Sequence, residues 1–170
     1  MGKKLKVIPF DFTPDTTAFA GGDALYGQTT SPIAVSDVFD TDNGNGKVVS
    51  FSVQHSHGST LTKKGISAYL FSQAPSSTPV AINAAENITA GDEGKVCGRL
   101  SVVAADFVDS VFAASFLTRA HKTNDTSTLP IIYNDSSSDK KSLWIKLIAD
   151  EAQTYSSVGK LKIEIIIECY

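Results

Sequence analysis

The stretch KVVSFSVQHSHG, residues 47–58, ends on the residue type best suited to bind a transition metal. His55 and His57 stand two apart, and on a β-strand such residues share a face. Two imidazoles so placed can reach one zinc, iron or manganese ion. Further ligands and the hydrogen bonds that orient them would have to come from elsewhere in the chain. The only other histidine is His121, in a Lys- and Asn-containing stretch that reads as a strand end. A second cluster, DVFDTDNGNG, carries Asp37, Asp40 and Asp42. An EF-hand wants oxygen ligands at its first, third and fifth positions, Gly sixth and Glu twelfth. Counted from Asp40, the fifth position is Gly44 and the twelfth is Phe51. The EF-hand pattern therefore fails. A looser Ca²⁺ site stays open, although Asn-Gly repeats between strands are first of all hairpin turns.

Other chemistry is thinner. Ser and Thr abound, yet no G-x-S-x-G elbow presents a nucleophile. Two cysteines make no disulfide framework. Cys97 and Cys169 read as free, buried thiols of a protein from a reducing cytosol. GGDALYG lacks the G-x-x-x-x-G-K spacing of a phosphate loop, and no helix follows to receive an anion. Its glycines read as devices for a tight turn. Asn87, Asn124 and Asn134 each begin a glycosylation sequon, read as an accident of a chain rich in Asn, Ser and Thr. No general acid, base and oxyanion donor come together. No catalytic, cofactor-binding or metal-ligating residue is assigned, no cofactor is expected, and neither is an enzyme.

The elements that must position these residues are strands. Period-two segments with turn-forming punctuation recur near residues 5–10, 33–39, 48–57, 66–72, 96–103, 115–121, 129–133, 143–149 and 161–169. Short pieces at 17–20, 24–27 and 80–83 read as added edge strands. In residues 48–57 the alternation sets Val49, Phe51 and Val53 on one face, with His55 and His57 continuing it. In KLKIEIIIECY, Leu161, Ile163, Ile165 and Ile167 face one way, and Lys160, Lys162, Glu164 and Glu168 the other. LWIKLIAD is less clean, because Trp144 and Ile148 share a face with Lys146; that predicts a strand covered on both sides, by a neighbouring subunit in the simplest case. AADFVDSVFAASF is the best helical candidate, good for at most a turn or two. Strands with one apolar face bury it by stacking two sheets, so the sequence predicts an all-β, antiparallel two-sheet β-sandwich, jelly-roll-like. The expected division is an N-terminal arm or first strand over 1–15 and a single domain over 16–170.

The jelly-roll expectation sharpens the histidine question, since cupin enzymes carry a His-x-His pair on such a strand. Their pattern is G-x5-H-x-H with a following Glu. Here Val49 stands where the Gly belongs, and Leu61 and Thr62 where the Glu belongs. The pair reads as structural.

Composition narrows the function classes. The chain has 170 residues, only 19% of them charged, and a net charge of −3. That balance argues against nucleic acid, whose phosphates need a basic patch. No apolar run approaches the roughly 18 residues that span a bilayer, so no membrane partner is expected. MGKKLKVIPFDF has no apolar core of a signal peptide, and Lys6 breaks the myristoylation pattern that Gly2 would begin.

Three stretches resemble a group of small tailed-phage virion structural proteins of the capsid decoration or cement type. They are TAFAGGDALYGQ, ISAYLFSQAPSSTPVAINAAENIT and LWIKLIADEAQTYSSVGKLKIEIII. In that group an A-x-A-x-x-D-like opening leads into a first core strand. A strand ending in Leu-Phe, here Leu70 and Phe71, runs into a Pro/Thr/Ser loop. A Pro-Thr-Tyr-like turn, here Gln153-Thr154-Tyr155, precedes the last strand; this sequence lacks the Pro. The resemblance implies a β-sandwich on the outer capsid surface, with the major capsid protein and itself, as a homotrimer, for partners. It implies assembly in the cytoplasm of the bacterial host and no site residues. Trimer contacts would be heterologous, one patch meeting a different patch of the next copy. The Lys-bearing first residues are a candidate strap onto a neighbour or the shell. The alternative is a carbohydrate- or receptor-binding sandwich of a tail or head fibre, with Trp144 and Tyr133, Tyr155 or Tyr170 stacking on sugars.

Overall fold

The computed structural model describes residues 4–25, 33–36, 38–39, 45–57, 62–75, 82–86, 88–112, 115–123, 131–133, 142–155 and 159–169. The strands among them, in chain order, are β1 (Lys4–Phe12), β2 (Ile33–Val35), β3 (Asn45–His57), β4 (Ile66–Phe71) and β5 (Val96–Val102). Then follow β6 (Phe107–Phe112), β7 (Ser115–Thr123), β8 (Ile131–Tyr133), β9 (Leu143–Ala149) and β10 (Lys160–Cys169). Two 3-10 turns, Ala90–Lys95 and Ala104–Asp106, are the helical elements of the described residues. No helix among them is long and apolar enough to cross a membrane.

Set β6 and β8 aside, and the remaining strands pair as nested hairpins: β4 with β5, β3 with β7, β2 with β9 and β1 with β10, all antiparallel. Two more antiparallel pairings, β10 with β3 and β4 with β9, roll this ribbon into two sheets. One sheet has the order β1-β10-β3-β7-β6, with β8 also on β3; the other is β2-β9-β4-β5. This is the wrapping of a jelly roll, an all-β two-sheet sandwich. Of the additions, β6 extends the edge beyond β7. β8 continues the line of β7, pairing residues 45–47 of β3 where β7 pairs residues 50–57.

The sheets meet through their inner faces. Leu161, Ile163, Ile165 and Ile167 of β10, with Phe51 and Val53 of β3, pack against Ala68 and Leu70 of β4 and Leu143, Ile145 and Leu147 of β9. Each such side chain removed from water contributes about 1.5–3 kcal/mol before entropy is counted. Ile8 and Phe10 of β1 belong to the same core, and β1 runs in unbroken register along β10 from Lys4 opposite Cys169 to Phe12 opposite Leu161.

Three sequence readings are corrected by the backbone. Ile166 stands opposite Ser50 but Ile167 opposite Val48, so Val49 is the extra residue of a β-bulge. Val48, not Val49, then takes the place on the core face and is buried. AADFVDSVFAASF holds one helical turn, Ala104–Asp106, within the turn or two expected, but its residues 107–112 form a strand that was not read, β6 on the edge of the sheet. An edge strand packs on one neighbour only, so it needs no clean alternation, and that hid it. Of the short edge strands expected at 17–20, 24–27 and 80–83, the described residues form single bridges at the first two, Phe19 with Gln153 and Ala24 with Ile148, while residues 26–27 and 80–81 lie outside them.

Candidate functional site

His55 and His57 lie at the end of β3, where β7 pairs them with Thr118 and Phe116. His55 is on the core face and fully buried. The Thr62 N–H donates to its Nδ1 at 2.9 Å, which puts the proton of the neutral ring on Nε2. Its ring meets Tyr155 edge-on at 5.2 Å, and Tyr155 meets Phe19 the same way at 6.0 Å. His121, on β7, is paired with Ser52 of β3. No group of three or more His, Cys, Asp or Glu fit to hold a metal ion occurs among the described residues. Asp37, Asp40 and Asp42 lie outside them. Cys97 is half-buried, and Cys169 is buried with its thiol donating to the Val38 carbonyl at 3.2 Å.

What the fold does build is a wall at this end of the sandwich. Phe19 and Gln153 exchange both main-chain hydrogen bonds, at 2.8 and 3.1 Å. The Gly22 N–H donates to the Ala149 carbonyl at 2.7 Å, and the Leu25 N–H to that of Leu147 at 3.0 Å. Gly22 has φ of 96°, which a side chain would resist. The turn is closed by Asp23, whose Oδ2 accepts the Ala20 N–H at 2.6 Å. Residues 82–86 add a further layer: the Ala24 N–H donates to Ala84, Asn83 to Ala24, and Glu86 to Gly22. Glu86 is thereby carried to Lys146 on the outer face of β9, and the two form an ion pair buried on both sides. The face that Trp144, Lys146 and Ile148 share is thus covered in part by the chain itself.

Below this wall opens a cavity of about 500 Å³ lined by residues 18–19, 62–64 and 152–154. Its rim groups are engaged. The Lys63 ammonium meets Asp109 at 2.6 Å and Lys64 meets Glu151 at 3.2 Å, while the Thr62 hydroxyl donates to the Thr154 carbonyl at 2.7 Å. The Gly65 N–H, and then Lys64, hold the Glu151 carboxyl below the usual range. Burial pushes the Tyr155 phenol well above the usual tyrosine range; its neutral O–H donates a hydrogen bond to Gln153 Oε1 at 3.0 Å. Nearby, Ser67 donates to Asp150 at 2.8 Å and accepts from Arg99, whose guanidinium lies over Tyr69. These contacts fasten segments together.

Of the aromatic residues called on for sugar stacking, two have described side chains, Tyr155 and Trp144. Tyr155 is core, Trp144 is half-buried in mid-strand, and Tyr170 is outside the described residues. Tyr133 ends β8, where it pairs Asn45. Sequence reasoning missed Glu86 as the partner of Lys146; the one signal was a lysine out of place on an apolar strand.

No protein-family model matches the sequence, and no curated protein does. Among solved structures the fold is similar to a chain in the cryo-EM structure of Mud crab tombus-like virus, at 12% identity and a TM-score of 0.27, over 99% of this chain and 89% of that one.

Proposed function

We propose that the chain is a virion structural protein, a decoration or cement protein that seats on the outer surface of a tailed-phage head and ties major capsid proteins together. It acts as a homotrimer and by shape, without catalysis. The observation that carries this reading is the meeting of the three stretches on which the phage resemblance rests. Residues 17–25, 82–86 and 143–155 are far apart in sequence, yet they hydrogen-bond to one another as one wall. A chance likeness would not be expected to select the three segments that build a single unit. The jelly-roll topology supports the same reading, because its broad sheets give flat faces and its nested, non-local pairing slows unfolding.

Mass spectrometry of purified virions, with copy number per particle, tests it. Tens to hundreds of copies are expected. A handful would move the protein to a tail or vertex, and none would end the reading.

A further inference from the structure

Gln153 lines the cavity below the wall and is only 4% exposed. Its Oε1 accepts the Tyr155 O–H at 3.0 Å, and that bond fixes which end of the amide is oxygen. The other end is a donor, and this buried Nε2 has no hydrogen-bond partner. A buried N–H left unmade is costly, and nearly all find an acceptor. The cavity can supply one from outside, since Ala18, Ala152 and Thr154 of its lining are exposed. At about 500 Å³ it falls in the size class of small-molecule sites. Its rim carries no net charge, because Lys63 is paired with Asp109 and Lys64 with Glu151. Hydrogen-bonding capacity nevertheless remains there. An ammonium has three N–H donors, and a hydroxyl that donates, as Thr62 does to the Thr154 carbonyl, can still accept.

We propose that this cavity binds a neutral sugar carrying an acetamido group, whose acetyl carbonyl accepts from Gln153 Nε2. This goes beyond the structural role above and does not depend on it. An amide carbonyl is the neutral acceptor matched to a buried amide N–H, and a rim of balanced charge gives a carboxylate no advantage over it. The acetyl methyl has Ala18 and Ala152 to lie against. The ring hydroxyls have the ammonium N–H groups of Lys63 and Lys64 and the hydroxyls of Thr62 and Thr154. Phe19, the aromatic residue of the lining, is 1% exposed and offers no open ring face. Recognition therefore goes by hydrogen bonds rather than stacking, and one site grips weakly. Many copies on one surface multiply such a grip.

Titration of the full chain with N-acetylglucosamine, followed by amide-detected NMR, tests the site. The Gln153 side-chain signal is expected to shift with a Kd of about 1–10 mM, and added salt should not change it because the ligand is neutral. Glucose, which lacks the acetamido group, should bind at least about fivefold more weakly. Gln153→Glu keeps an acceptor for Tyr155 but loses the donor, and should weaken the sugar by a similar factor. A carboxyl at so buried a place can unfold the chain, so a second variant guards the test. Ala152→Trp, at an exposed lining position, fills the mouth without touching the core and should abolish binding with unchanged circular dichroism. No shift with N-acetylglucosamine, equal binding of glucose, or binding that survives Ala152→Trp would each overturn the site. Virion mass spectrometry bears on the structural role separately, so either idea can fail without the other.

Discussion

The two sheets share a core but differ on their outsides. On the six-stranded sheet, Lys160 and Lys162 reach into water, and Ser52 and Gln54 line a polar hollow of about 240 Å³ with Lys162 and Glu164. On the four-stranded sheet the outward side chains Ser67, Phe71, Lys146 and Ile148 are all buried. A lysine facing outward from one sheet is therefore solvated, and from the other it is enclosed, 3% exposed, against Glu86. The direction of a side chain from its sheet does not fix its surroundings. What lies over the sheet does.

Matched substitutions sharpen the contrast. Lys146→Met, which strands Glu86 without its cation, should cost about 3–5 kcal/mol in urea unfolding; adding Glu86→Leu should restore much of that. An unaffected single variant would mean that the pair is open to water. Gly46→Ala comes next. A Cβ there would meet the Glu168 carbonyl oxygen and the Ile167 side chain at 2.9 Å, an overpacking worth about 1–3 kcal/mol. Tyr155→Phe should cost about 1 kcal/mol through the hydrogen bond to Gln153. It should also change the alkaline limb. A phenol raised by burial contributes stability that is complete below its ordinary value of 10.0 and is lost as pH climbs past it, so the variant should fall less steeply there. Glu151→Gln acts at the other end. A carboxyl held low stabilises the fold above its ordinary 4.5, and that support fades as pH drops below it; acid unfolding curves of variant and wild type should converge at low pH. Lys162→Met should be nearly silent, within about 0.5 kcal/mol, and a large loss would erase the difference between the faces.

The same difference decided what could be read in advance. β10 announces itself because one face is dry and the other wet, so the chain alternates. β9 is dry on both faces and reads ambiguously, and the expectation of cover was right where its source, a neighbouring subunit, was not needed for Lys146. Val49 was misplaced because a bulge shifts register without changing the residue pattern. β6 was not read as a strand because an edge strand is half free of the sheet's rules. At the candidate site His55 was read as structural, yet nothing local pointed to its partners Thr62 and Tyr155, and the wall joining residues 17–25 to 147–155 rests mostly on main-chain hydrogen bonds, which leave little mark on the sequence beyond Gly22 and Asp23.

Nested pairing has a consequence for synthesis. β1 is made long before β10, its strand partner among the described residues, with 147 residues between Phe12 and Lys160. At about 5–20 residues per second, Ile8 and Phe10 leave the ribosome some 7–30 s before the strand that shelters them exists. β10 is also the link between β1 and β3, so the larger sheet cannot close on a nascent chain. The cell must keep the growing polypeptide soluble until β10 has emerged.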